Sequence, residues 1–297
     1  MSEPESVPYT AADLGFAGDA RVGWVRRLRG GIARFRCLRT IDDLVAAERL
    51  QSEVFGMSER DLLSASGLLT VAETGGEVLG AFVDADAAQP LAGVLIGWGG
   101  FVDGTPRLVS DVLAVVPERR NLGLGAELKR LQAAVALERG FREVVWTVDP
   151  LRAANARLNF EKLGATAAAY EENRYGAAFA AGLYGGMPTD RLHVRWELAG
   201  ARVRDRLLGG SAPTPPNAAR DLPSCDPSLT GVRCRINLPA DIDALVAADP
   251  EAALRWRFAL RAQLRDAFAS GWRIVGFAAE TDLARGISSY LLERDRL

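Results

Sequence analysis

Residues 115–128 read VVPERRNLGLGAEL, and this stretch decides how the chain is interpreted. An apolar strand runs into it, glycines follow at positions 123 and 125, and a helix-forming run starts at Ala126. The first backbone N–H groups of a helix lack intrahelical acceptors, and the helix dipole adds partial positive charge there. Because glycine has no Cβ, an anion can approach such amides closely. The stretch therefore predicts a phosphate-binding turn.

Two common phosphate-binding patterns do not fit this turn. A dinucleotide fingerprint needs a third glycine at position 128, which is leucine. A Walker loop needs lysine and then serine or threonine after its last glycine, whereas Ala126 and Glu127 follow Gly125. The pattern R-x-x-G-x-G, from Arg120 to Gly125, does fit.

Hydrophobic periodicity predicts an α/β protein with a mixed sheet and helices packed on its faces. The expected element order in the main domain is β-α-β-β-β-α-β-α-β-β, with strand character at Thr70–Glu73 and a helix that is capped by Thr40 and ends at Gly56. A segment rich in proline, serine and glycine separates a smaller α/β module, with a helix opening at Pro250. The expected parts are a leader at 1–30, the main catalytic domain at 31–200, a linker at 201–230 and an accessory module at 231–297.

The turn, with Val115 and Pro117 before it, resembles the acyl-CoA site of the GNAT N-acyltransferase superfamily. The resemblance spans roughly residues 31–200 and implies the GNAT fold, with acetyl-CoA or another acyl-CoA as co-substrate and no metal. It implies that the amides of the turn hold the pyrophosphate of coenzyme A, and that amides of the preceding strand meet the oxyanion. The implied cofactor-binding residues are Leu113, Ala114, Val115, Arg120, Asn121, Leu122, Gly123, Leu124, Gly125 and Ala126.

Further segments are similar to one group of bacterial GNAT enzymes that has been linked to N-acylation of amino acids, including succinyl transfer. These segments are Trp146–Ala165, Tyr170–Gly176, Pro188–Leu198, Ala248–Arg257 and Gly271–Phe277. This resemblance implies an N-acyltransferase with an acetyl or succinyl donor and a small primary amine, such as an amino acid, as acceptor.

GNAT chemistry implies direct attack of the amine on the thioester, so the amine must lose a proton. Asp111 is the first candidate base, because it precedes the cofactor-binding part of its strand within an apolar segment. We expect it to be buried, which raises the pKa of a carboxyl group. The alternative is an aspartate that bonds a turn or the substrate ammonium. Asp149 is the second candidate, with a helix cap before Pro150 as its alternative.

The acid that protonates the leaving thiolate is harder to assign. Many GNAT enzymes carry a Y-x-K-x-G tyrosine in the last helix, and the corresponding residue is Phe160, which has no proton to donate. Either the thiolate leaves without a side-chain acid, or Tyr175 or Tyr184 replaces the missing tyrosine. Packing or substrate contact is the alternative for both tyrosines.

Two further groups of residues are candidates for binding. Asn155 and Asn159 are four residues apart on a predicted helix, so we expect them to share a face and bond the pantetheine amides, with plain solvent exposure as the alternative. Arg174, Tyr184 and Arg191 are candidates for holding an acceptor carboxylate, with ordinary surface arginines as the alternative.

Composition excludes several classes of function. His193 is the only histidine, so histidine-clustered metal sites are excluded, and its strand-like surroundings favour a structural role over a catalytic one. Three cysteines without C-x-x-C spacing favour a reducing cytoplasm. A net charge of −2 gives no overall attraction to nucleic acid or to membranes. The seven arginines of residues 21–39 leave a nucleic-acid patch conceivable, but no aromatic stacking platform accompanies them.

The expected partner is therefore a small-molecule amine, with no nucleic acid and no membrane, and a homodimer is conceivable. A second class of function remains open, because the phenylalanine at position 160 also fits a non-catalytic acyl-CoA sensor or structural partner.

Overall fold

The computed structural model of the chain describes residues 7–29, 31–56, 61–83, 90–102, 104–176, 186–209, 216–225, 232–282, 284 and 286–294. The chain divides into two compact units. The first consists of residues 1–145 and 197–204, and the second of residues 146–196 and 205–297. The boundaries that we expected from composition differ from this division and remain a prediction.

The first unit is a strand meander with helices. Its strands are β1 (Ala17–Asp19), β2 (Gly23–Leu28), β3 (Gly31–Cys37), β4 (Glu77–Val83), β5 (Gly93–Val102), β6 (Thr105–Val115) and the first residues of β7 (Glu143–Val148). Its helices are α1 (Ile41–Phe55), α2 (Ala65–Glu73) and α3 (Leu124–Glu138). Strands β1 to β6 pair consecutively and antiparallel, whereas β6 and β7 pair in parallel, so the mixed sheet is confirmed.

The second unit has its own run of antiparallel strands. Its strands are β8 (Thr166–Glu171), β9 (Arg191–Glu197), β10 (Arg233–Pro239), β11 (Arg273–Asp282) and β12 (Ile287–Glu293), in the order β9-β8-β11-β12-β10. Its helices are α4 (Ala153–Ala156), α6 (Pro216–Arg220), α7 (Ile242–Ala248) and α8 (Pro250–Ala269). Helix α5 (Ala201–Leu207) crosses the boundary between the units.

Local signals account for several element boundaries. Helix α1 begins after Thr40, whose hydroxyl accepts from the Asp43 amide, and ends at Gly56 with a φ of 58°, so both predicted boundaries are confirmed. Helix α8 begins at Pro250, and the Asp249 carboxylate caps it by accepting from the amide of Ala252.

One expectation is wrong. Thr70–Glu73, expected as a strand, lies in helix α2, which Ser64 caps. Strands β1 and β2 lie within the segment expected as a leader. Beside them, Phe16 packs edge-to-face on Phe35 of β3, with ring centroids 5.5 Å apart. Among the described helices, none is both long and apolar enough to cross a membrane.

Candidate functional site

The glycine turn lies between strand β6 and helix α3 in the first unit. After β6 the chain makes a short 3-10 helix, Pro117–Leu122, and then turns at Gly123, which has a φ of 86°. L side chains rarely adopt this conformation, so glycine is required there. Helix α3 starts at Leu124, two residues earlier than predicted, and no side chain caps its first amides. These amides are available to an external acceptor.

The space around the two glycines suits a bulky anion. A Cβ on Gly123 would meet no atom within 4 Å. A Cβ on Gly125 would make only ordinary contacts, 3.7 Å from Leu113 Cδ2 and 3.8 Å from Val115 Cγ2. Packing within the described part of the protein therefore does not require glycine at position 125.

The other residues expected at the turn contribute in different ways. Leu124 is fully buried, so it offers its amide and not its side chain. Arg120 and Asn121 are exposed, and Arg120 Nε donates to the Val115 carbonyl oxygen at 3.4 Å. Leu122 and Ala126 are half-buried beside the glycines. The geometry thus centres the anion site on backbone amides.

Strand β6 leads into the turn and is irregular at Asp111. In its pairing with β5, Ile96 faces Val112 and Gly97 faces Ser110, so Asp111 is the extra residue of a β-bulge. The expected burial of Asp111 is wrong, because the residue is exposed. In the alternation of β6, Leu108, Ser110 and Ala114 are the buried residues, so Asp111 lies on the opposite side of the strand.

Strand β6 pairs antiparallel with β5 along one edge and parallel with β7 along the other. Its pairing with β5 runs from Thr105 to Val115, whereas its register with the first-unit residues of β7 covers only Leu108 and Val109. The resemblance assigns the part of β6 that carries Leu113, Ala114 and Val115 to the thioester.

A chain of buried polar side chains packs at the bulge. We call Glu77, Ser110, Lys129 and Gln132 the buried polar chain. Lys129 Nζ donates to Ser110 Oγ at 2.7 Å and to Gln132 Oε1 at 3.1 Å, and Gln132 Nε2 donates to Glu77 Oε2 at 3.0 Å. All four residues are at most 5% exposed.

Burial shifts both ionisable groups of the buried polar chain toward their neutral forms. It lowers the pKa of Lys129 to about 7, against the opposing effect of the Glu77 charge. Burial likewise raises the pKa of Glu77 to about 7, although Gln132, Arg139 and Lys129 act in the other direction. Glu77 Oε1 is buried and has no hydrogen-bond partner among the described residues.

In the second unit, Asp149 has a structural partner. Arg257 of α8 makes two hydrogen bonds of 2.8 Å to its carboxylate, and the Leu151 amide donates to Asp149 Oδ1 at 2.9 Å. Arg257 is fully buried and Asp149 nearly so. Both oxygens of this carboxylate are engaged in hydrogen bonds, so the geometry favours an anchoring role over general-base catalysis.

Helix α8 repeats this ion pairing along one face. Arg261 pairs with the buried Asp190 through two hydrogen bonds of 2.9 and 2.7 Å, and Arg265 pairs with Glu172. The Tyr170 hydroxyl also donates to Asp190 at 2.6 Å. Sequence reasoning missed this set, although arginines at 257, 261 and 265 have the four-residue spacing of one helix face.

Helix α4 does not continue as an α-helix. From Arg157 to Lys162 the chain makes a π-turn, with the Leu163 amide donating to the Leu158 carbonyl. The expectation that Asn155 and Asn159 share a face is wrong, because Asn155 is exposed and Asn159 is buried. The wider turn changes the angle between residues four apart.

Phe160 is fully buried in the second unit. Its ring lies edge-to-face on that of Tyr290, with centroids 5.7 Å apart. The Tyr290 hydroxyl donates to the Pro150 carbonyl at 2.7 Å, and burial raises the pKa of Tyr290. Phe160 is therefore a core residue.

The residues expected to contact the acceptor gather around Tyr175, which is 39% exposed. The guanidinium carbons of Arg174 and Arg191 lie 5.5 and 4.9 Å from the centre of the Tyr175 ring, and Thr147 Oγ1 is 3.4 Å from its hydroxyl. Tyr184 lies outside the described residues.

Arg174 also interacts with a neighbouring carboxylate. It hydrogen-bonds Glu171, and this bond holds the pKa of the Glu171 carboxyl group below its ordinary value. His193 Nε2 is 2.9 Å from Glu171 Oε2, in keeping with the structural role expected for this histidine. The described residues contain no cluster of three or more metal-ligating side chains.

Comparison with known families bears on residues 44–165. This segment, which is less than half of the chain, matches the family model described as Acetyltransferase (GNAT) family. Residues 44–165 are therefore similar to GNAT acetyltransferases. The matched segment includes the glycine turn and Asp111. No curated protein matches the chain in sequence.

Solved structures are similar to the GNAT part of the chain. The yncA protein of Salmonella typhimurium, solved with acetyl-CoA, is 19% identical over 61% of this chain and 98% of its own, with a TM-score of 0.45. The ribosomal-protein-S18-alanine N-acetyltransferase of Escherichia coli is 18% identical over 57% and 96%, with a TM-score of 0.43. Naa50 of Arabidopsis thaliana is 14% identical over 55% and 97%, with a TM-score of 0.42. At these values the similarities carry no information on the substrate.

Proposed function

We propose that the chain is an acyl-CoA-dependent N-acyltransferase that transfers an acetyl or succinyl group to a small primary amine. The observation that carries this proposal is the uncapped start of α3 behind Gly123, with open space at that glycine. Amides at such a helix start bind phosphate groups, and coenzyme A presents a pyrophosphate. The family match over residues 44–165 supports the same reading.

The proposed reaction is direct transfer. The acceptor nitrogen attacks the thioester carbon, the C–N bond forms, and the C–S bond breaks as the thiolate leaves. Asp111 takes the proton from the amine, since it is exposed beside the part of β6 that leads into the turn. Amides of Leu113 to Val115 donate to the oxyanion. Water protonates the leaving thiolate, because Phe160 is buried and its side chain has no acidic proton to donate.

We propose an amino acid as the acceptor. The guanidinium groups of Arg174 and of the buried Arg191 lie against the exposed ring of Tyr175, and a guanidinium pairs well with a carboxylate. Tyr175 serves here as an aromatic contact, since its hydroxyl approaches Thr147. This assignment follows the resemblance to amino-acid acylating enzymes.

Thermal unfolding with ligands tests the proposal. Coenzyme A, acetyl-CoA or succinyl-CoA at 100 times its Kd is expected to stabilise the protein by about 2.7 kcal/mol and to raise the Tm, whereas ATP and NAD leave the Tm unchanged. The thioester with the largest shift identifies the donor for an acceptor screen. No shift with any CoA compound contradicts the proposed site at the turn.

Replacing the proposed base tests the chemistry separately from binding. Asp111→Asn is expected to lower kcat/KM by roughly 10²- to 10⁴-fold, because the amide accepts no proton, while the CoA-induced Tm shift is kept. The matched control is Asp42→Asn, because Asp42 is an exposed aspartate in the first turn of α1. Activity of the Asp111 variant equal to that of the Asp42 variant would exclude Asp111 as the base.

The second candidate function is a non-catalytic acyl-CoA sensor. The observation in its favour is the burial of Phe160 against Tyr290, at the position where many GNAT enzymes carry a tyrosine. Tight CoA binding without turnover on any amine supports the sensor, and detectable transfer to an amine rejects it.

A further inference from the structure

The buried polar chain costs free energy that apolar side chains at the same positions in the core would not cost. Burying an ammonium, a carboxyl group and an amide costs free energy even when they are hydrogen-bonded to one another. Helix α3 is buried at Leu128, Lys129 and Leu131 alike. Since interior helix positions are ordinarily apolar, burial alone does not explain a lysine at position 129.

The placement of the buried polar chain is specific. Ser110, which accepts from Lys129, directly precedes the bulged Asp111 on β6. Gly97 faces Ser110 from β5, and a Cβ there would lie 2.8 Å from the Val109 carbonyl oxygen and 3.2 Å from Gln132 Nε2. The buried polar chain thus packs closely against the bulge. Two of its members, Lys129 and Gln132, lie on α3, the helix whose start forms the glycine turn.

We propose that Lys129 is a positioning residue whose hydrogen bond to Ser110 fixes the β6 bulge and so sets the placement of Asp111. This inference rests on the proposed function, in which Asp111 accepts the proton of the amine. Lys129 does not touch the reacting atoms. It acts through Ser110, and Gln132 orients it by accepting its second hydrogen bond.

The charges around Lys129 predict the direction in which removal of its ammonium group shifts the pH dependence of the activity. Since burial brings the pKa values of Lys129 and Glu77 to about 7, below pH 7 the lysine is charged and the glutamate is largely neutral. Arg139, which directly follows α3, is the other charged group that acts on Glu77. Because a positive charge near a carboxyl group favours its ionised form, we expect loss of the Lys129 ammonium to disfavour the ionised form of Asp111.

The test compares Lys129→Met with Lys162→Met in the full chain, since Lys162 is the only other lysine and is exposed. The measurements are kcat and KM from pH 5 to 9, with the active fraction counted by CoA-binding stoichiometry. Lys129→Met is expected to lower kcat about tenfold or more, to leave the KM for acyl-CoA within about threefold, and to move the acidic limb of kcat/KM up by about half a pH unit.

A second variant keeps the test decisive if Lys129→Met does not fold. Ser110→Ala removes the same hydrogen bond but keeps the ammonium, so it is expected to lose kcat with a smaller shift of the acidic limb. Unchanged kcat per CoA-binding site in either folded variant, or an equal loss in Lys162→Met, overturns the positioning role. Wild-type protein that binds CoA but acylates no amine instead overturns the proposed function, and the inference with it.

Discussion

Arg257→Met is expected to lower the free energy of unfolding by about 3–5 kcal/mol, because it leaves the Asp149 carboxylate buried without its cation. Arg257 is fully buried and makes both of its short hydrogen bonds to Asp149. Loss of one partner of such a pair is far more damaging than loss of an exposed pair. Urea unfolding at pH 7, followed by tryptophan fluorescence, measures the change.

The control for this prediction lies two residues earlier on the same helix. Arg255 is 67% exposed, and Arg255→Met is expected to change stability by no more than about 0.5 kcal/mol. The double variant Asp149→Asn with Arg257→Met should be more stable than Arg257→Met alone, since an amide is less costly to bury than a charge. A double variant as unstable as Arg257→Met would show that the uncompensated charge is not the cause.

The second large effect concerns the glycine turn. Gly125→Asp is expected to weaken CoA binding by roughly 100-fold, about 2.7 kcal/mol, because a carboxylate in the first turn of α3 repels the pyrophosphate. The same carboxylate interacts favourably with the helix dipole, so the free protein should not lose stability. Since a Cβ at 125 meets only ordinary contacts, the fold accommodates the change. Calorimetric titration with CoA measures the affinity.

Gly125→Asn separates charge from size in this experiment. Asparagine has nearly the shape of aspartate without its charge, so its loss of affinity reports steric obstruction alone. The difference between the two variants reports electrostatic repulsion. If Gly125→Asp binds CoA as tightly as wild type, the pyrophosphate does not lie at this turn.

Local sequence signals predicted the fold class and the turn. Thr40 and Gly56 bound α1 as expected, and Gly123 adopts the positive φ that a spaced glycine before a helix indicates. These signals act within a few residues, so a single sequence contains them. The mixed sheet follows from the order of such elements.

The features that sequence did not reveal depend on contacts between distant residues or on irregular backbone. No residue near Asp149 in the sequence indicates that Arg257 pairs with it, so Asp149 remained a candidate base. Periodicity assumes a regular strand or helix, so it missed the bulge at Asp111 and the π-turn that separates Asn155 from Asn159. Lys129 was likewise missed, because one lysine on a helix has the same pattern whether its amine is buried or in solvent.

The arginine face of α8 also has a consequence for how the chain is made. Arg257 follows Asp149 by 108 residues, and Arg261 follows Asp190 by 71. During synthesis from the amino terminus, both aspartates leave the ribosome well before their cations exist. Until α8 emerges, burying these carboxylates is unfavourable, so the second unit cannot close early. Its completion is thereby timed to the emergence of α8, when the whole helix is available to dock.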